Sequence, residues 1–121
     1  MSAENGAEEG LKVIWGIVQR GKASRPVQAS LRAGALSATV SFGRGMGVRQ
    51  RMGLLGLAID EEKEIMVVIV RDAVIDQVLR AMVRAGNLDQ PGVGFVFVLP
   101  VEQLVSLGLP DAVTETEAEA A

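Results

Sequence analysis

The sequence predicts an α+β fold, an antiparallel sheet with two helices on one face, and three observations carry that prediction. Four short runs rich in Val, Ile and Phe read as strands. Two stretches with apolar residues at helical spacing stand among them. The order is strand, helix, strand, strand, helix, strand within 121 residues, a length that fits one domain with a modest core.

LKVIWGIV, 11 to 18, is β-branched and runs into the turn-like QRGK, so it reads as a buried first strand. A short helix follows, with Ser24 as N-cap, Pro26 in its first turn, Val27 and Leu31 sharing a face, and Gly34 as the residue that ends it. ATVSF, 38 to 42, alternates as a second strand, and EIMVVIV, 64 to 70, is a continuous apolar run suited to a central third. Asp72 is expected to cap a second helix, with Val74, Ile75, Val78, Leu79, Met82 and Val83 inward, Asp76 and Arg80 paired outside, and Gly86 at its end. FVFVL, 95 to 99, is the last strand, and Pro100 is expected to open a helical turn reaching Leu107. This is the split βαβ or ferredoxin-like βαββαβ plait, a fold that selects no function by itself. Both sheet faces read as apolar, so the face without helices is expected to meet another copy of the chain.

Composition narrows the chemistry. Cysteine, histidine and tyrosine are absent, which removes disulfides, thiolate or imidazole metal ligands and nucleophile–histidine pairs. No Ser or Thr lies between Phe42 and Val105, so the middle of the chain offers no hydroxyl for modification. No apolar run is long enough to cross a bilayer and the polar start has no signal-peptide pattern, so the expectation is a cytoplasmic protein. Seven acids sit in the first ten and last thirteen residues, small polar ends expected to be disordered. Residues 11–108 carry all twelve basic residues against eight acids, and residues 11–59 hold eight basic residues with no acid. That imbalance favours an anionic ligand or partner.

The strongest candidate for binding an anion is SFGRGMG, 41 to 47. Glycines at 43, 45 and 47 are expected to turn backbone N–H groups inward as a nest, and Arg44, Arg49 and Arg51 add charge. The dinucleotide-binding and Walker patterns both fail here. Nucleic acid is disfavoured, because a base-stacking platform would rest on Phe42, Phe95 and Phe97 alone. Trp15 reads as a core or subunit contact. The apolar MGLLGLAI, 52 to 59, continues a long connection of the kind that is usually functional, and the acids of DEEKE, 60 to 64, are placed to neutralise nearby arginines.

Four blocks, IVQRGKA at 17–23, ATVSFGRGMG at 38–47, GLLGLAIDEEKEIMVVIV at 53–70 and GNLDQPGVGFVFVLPVE at 86–102, give the chain a family likeness. It resembles the PII signal-transduction proteins, especially their short-loop, PII-like branch. The resemblance implies a regulator rather than an enzyme, a homotrimer whose sheets face inward. It also implies adenine nucleotides in clefts between subunits and a mobile T-loop that signals to a transporter or enzyme. The domain is then 11–108, with acidic ends at 1–10 and 109–121, a T-loop at 43–63 and a B-loop at 86–94. Carried over by position, Phe42, Gly43, Arg44, Gly45 and Gly47 form the loop base near ribose and phosphates, and Ile17, Ala38, Thr39 and Ile69 the adenine pocket. Gly92, Val93 and Gly94 belong to the B-loop, and Lys63 meets an anionic effector.

Departures from the family pattern matter too. Gly45 stands where a glutamine helps hold magnesium and 2-oxoglutarate. Val93 stands for a phosphate-binding lysine, and residues near Leu104 and Ser106 for two arginines. Fewer cations shift the expectation from ATP to ADP or AMP, with no covalent cofactor and with bicarbonate as a candidate second anion. Relatives of this branch are associated with inorganic-carbon uptake, carboxysome function or metal transport. The rival is a small phosphate-ester or acyl-phosphate hydrolase of the same plait, with Arg44 as anion clamp and Asn87 as its one candidate polar partner. An amino-acid-binding regulatory module is a third possibility, which leaves the basic stretch unexplained.

Overall fold

The computed structural model describes residues 10–45 and 61–105. Strand β1 (Leu11–Gln19) leads into helix α1 (Ser24–Arg32), then β2 (Ser37–Gly45) and β3 (Glu61–Arg71). A short 3₁₀ turn (Asp72–Val74) precedes helix α2 (Ile75–Gly86), and β4 (Gly94–Val101) closes the order. The four strands form one antiparallel sheet in the order β2-β3-β1-β4. This is the ferredoxin-like plait expected from the sequence.

Alternation along the strands decides which residues meet the helices. Ile14 and Val18 of β1 and Met66, Val68 and Val70 of β3 are fully or almost fully buried, packed with Val78 and Met82 of α2. Ala38 of β2, opposite Val68, belongs to this covered face and packs on the same core. Val13, Trp15 and Ile17 of β1 point the other way, beside Leu99, Phe97 and Phe95 of β4. There Trp15 stacks with Phe97 at a centroid distance of 6.5 Å and Phe97 with Phe95 at 6.2 Å. Phe95 is 52% exposed and Phe97 42%, so this aromatic row remains in solvent in the single chain.

Several expected ends are set by distant partners instead of local ones. Ser24 does not cap α1: the Glu64 carboxylate accepts the Ala23 N–H at 2.9 Å, and Ser24 Oγ accepts a hydrogen bond from Gln28. Leu31 is 47% exposed, while Pro26, Ala29 and Ser30 form the buried side of α1. Asp72 does not cap α2 either, because its carboxylate accepts from Lys12 Nζ at 2.8 Å and the helix starts only at Ile75. The helix ends follow the expected chemistry more closely. After α1, Gly34 N donates to Leu31 O and Ala35 N to Ser30 O around a φ of +119° at Gly34, the paired bonds of a Schellman motif. After α2 the left-handed residue is Asn87 rather than Gly86, with Leu88 N donating to Val83 O. Pro100 lies within β4 and opens no helix among the described residues; on an edge strand its missing N–H costs little.

β2 and β3 both outrun the expected strands. The ladder continues through Gly43↔Lys63, Arg44↔Glu62 and Gly45↔Glu61, whereas β1 stops at Gln19, opposite Lys63. The sheet therefore narrows there from four strands to a two-stranded ribbon.

Candidate functional site

Of the segment predicted to form a nest, residues 41–45 run along β2 into that ribbon. Gly43 and Gly45 lie in β2, and neither has a positive φ. Their N–H groups belong to an extended strand, so the nest is absent at 43–45, while Gly47 lies outside the described residues. Local composition favours a turn here, but the partner strand Glu61–Lys63 holds the segment extended.

What the ribbon builds is a side-chain site. Phe42 and Arg44 share the helix-side face, each opposite an acid in register, Glu64 and Glu62 respectively. Arg20, from the turn after β1, donates through Nη1 to Glu62 Oε1 at 2.5 Å. Arg20, Phe42, Gly43, Arg44 and Glu62 together line a cleft of about 400 Å³. The Phe42 ring is 73% exposed, so one wall is aromatic and open while the others carry charge. Two guanidinium forks beside a flat ring suit a phosphorylated ligand.

A second cleft, of about 300 Å³, lies where the β1–α1 turn meets the end of α2 and the loop before β4. Gln19, Lys22 and Arg25 line one side and Asn87 and Val93 the other. The loop is tied down by Gln19 Nε2 donating to Gly92 O at 3.2 Å and by Val93 packing on the core. Gly94 has no substitute: its φ is +155°, and a Cβ there would lie 2.6 Å from Ile17 O. Val93 brings no charge to this loop, and the cations facing it come from Lys22 and Arg25.

The residues assigned to the adenine pocket are not gathered into one place. Ile17, Thr39 and Ile69 lie on the open face, but Ala38 is on the covered face. Ile17 pairs with Ile65, four residues from Ile69, which separates them by about 13 Å along the strand. Lys63 also faces the open side, where Nζ donates to Glu61 Oε1 at 3.2 Å. The loop base on β2 and the Gly92–Gly94 loop share one end of the sheet at opposite edges, in the row Phe42–Glu64–Val18–Gly94. Three strand spacings, about 14 Å, separate the two edges. Arg20, Glu62, Lys22 and Arg25 were not singled out from the sequence as site residues. The signal for Arg20, Lys22 and Arg25 was the acid-free basic run, which marks none of its cations as different from the others, and the signal for Glu62 was the run of acids at 60–64 expected to neutralise nearby arginines.

A shared architecture with known proteins bears on this geometry. The family model described as "Nitrogen regulatory protein P-II" matches residues 11–107. The chain belongs to the PII family. PII proteins are signal-transduction regulators, and this chain shares their antiparallel sheet with two helices. An Arabidopsis thaliana PII bound to citrate matches with a TM-score of 0.60 and 22% identity, over 82% of this chain and 84% of that one. The Bacillus subtilis GlnK–ATP complex matches with a TM-score of 0.63 and 19% identity, over 79% and 85%. A Bacillus cereus protein related to NIF3 matches with a TM-score of 0.64 and 22% identity; 78% of this chain is covered, but only 26% of that longer protein. No curated protein sequence matches the chain significantly. Among the described residues no helix is long and apolar enough to cross a membrane.

Proposed function

We propose that this PII protein is a cytoplasmic homotrimer that binds an adenine nucleotide, ADP or AMP in preference to ATP, at clefts completed by neighbouring subunits. Nucleotide occupancy changes the segment between β2 and β3, and that segment docks on a transporter or enzyme of inorganic-carbon or nitrogen metabolism. Bicarbonate is the candidate second anion. The reading treats 11–108 as the functional domain, with the nucleotide on Phe42, Gly43, Arg44, Gly45 and Gly47 of one protomer and Gly92, Val93 and Gly94 of the next. Ile17, Thr39 and Ile69 of the open face serve the base, contributed by more than one protomer, with Ala38 supporting them from the covered face, and Lys63 serves the second anion.

One observation carries the reading: the arginine-lined loop base and the tied-down glycine loop stand at the same end of the sheet on opposite edges. A ligand of nucleotide size reaches both more readily when edge β2 of one copy lies beside edge β4 of another. The exposed aromatic row on the open face supplies apolar surface for such an assembly. ATP in the GlnK complex and citrate in the Arabidopsis protein agree with multiply charged anions as ligands of this fold. The hydrolase alternative is less well supported, since Arg44 and Asn87 line different clefts.

Sedimentation equilibrium with titration calorimetry tests the proposal. The expected result is a trimer that binds ADP or AMP more tightly than ATP. A monomer in solution, or no heat from any adenine nucleotide, overturns it.

A further inference from the structure

We propose that Arg20 is a second phosphate-binding guanidinium of this site and that Glu62 is its built-in competitor, so that a phosphoryl ligand must displace Glu62 from Arg20 in order to bind. The inference rests on the nucleotide reading above and adds its mode of regulation. Glu62 stands between two cations, accepting a hydrogen bond from Arg20 and facing Arg44 across the ladder. All three line the same cleft, beside the exposed ring of Phe42.

The ion pair is built to be exchanged. The side chains of Arg20 and Glu62 are 71% and 63% exposed, and pairs this open to water are weakly held. Both lie at the edge of the structure rather than in the core, so breaking the contact leaves no buried charge. Arg20 comes from a turn and Glu62 from the ribbon where β1 no longer supports β3, so either side can move without disturbing the four-stranded part of the sheet.

Charge decides which ligands displace the carboxylate. Glu62 brings one negative charge to Arg20. A singly charged anion of similar shape replaces it with little gain, whereas a diphosphate brings more charge and more acceptor oxygens to the Arg20 and Arg44 forks together. The cleft therefore selects phosphoryl groups over single carboxylates or bicarbonate. Binding also releases Glu62 at the root of the segment that follows β2, which couples occupancy to the ribbon's charge.

Calorimetry on the full chain with ADP, inorganic pyrophosphate and bicarbonate tests this, using Arg20→Ala, Glu62→Gln and the double variant. Arg20→Ala is expected to weaken ADP and pyrophosphate about tenfold, the loss of one charge-assisted contact. Glu62→Gln is expected to tighten both several-fold, and to lose most of that gain when Arg20 is also Ala. Unchanged affinity in Arg20→Ala overturns the proposal, as does a Glu62→Gln gain that persists undiminished without Arg20, which would assign Glu62 to general repulsion. If the unmodified protein binds neither ADP nor pyrophosphate, the nucleotide reading fails together with this inference. Normal ADP binding by the unmodified protein together with unaffected variants overturns this inference and leaves the nucleotide reading standing. Thermal melts of the variants should match the parent, since neither side chain is in the core.

Discussion

The two faces of the sheet are made from much the same residue types and meet opposite fates. On the covered face Ile14, Met66, Val68 and Val70 have no exposed surface, because α1 and α2 lie over them. On the open face Phe95, Phe97 and Leu99 retain between 42% and 52% of their surface. Apolar character alone therefore does not say where a strand residue ends up. The covered face stabilises the single chain, and the open face holds apolar surface that a second copy would bury.

Substitutions can break that comparison, and the largest effect is expected on the covered side. Met66→Ala should cost about 2–5 kcal/mol of stability in chemical denaturation, because the cavity it leaves is enclosed by the core. Phe97→Asp on the open face should leave the chain folded by circular dichroism while abolishing the proposed trimer in sedimentation. An unfolded Phe97→Asp chain, or an intact trimer, would mean that the two faces do not divide their roles in this way. Arg44→Ala should weaken ADP binding by about 1–3 kcal/mol without shifting the melting midpoint, since the residue is exposed at the sheet's end. The smallest effect is expected for Lys12→Ala. It removes a half-exposed pair with Asp72, so the loss should stay within about 1 kcal/mol in the same denaturation assay.

The plait was legible because its strands are runs of Val, Ile and Phe whose pattern depends on near neighbours in sequence. What sequence alone missed depends on distant neighbours. Glu61, Glu62 and Lys63 have little strand character, yet they extend β3 because β2 lies alongside. Ser24 and Asp72 are good cap residues by type, but Glu64 and Lys12, from other elements, fixed the outcome. The candidate site shows the same division. Arg44 stood out beside its glycines, whereas Arg20 gains significance only through Glu62, 42 residues away. Ile17, Ala38, Thr39 and Ile69 were expected to form an adenine pocket on their positions alone, and alternation places Ala38 on the opposite face from the others.

The narrowing of the sheet beyond Gln19 has a mechanical consequence. A slab four strands wide, anchored by two helices, resists torsion; two strands joined only to each other yield to it, since such ribbons tolerate far more coiling. Arg44 and Glu62 sit on the compliant side of that boundary. A force applied there can twist the paired ends of β2 and β3 while the body of the protomer keeps its shape, so one sheet supplies both a stiff handle and a pliable rim.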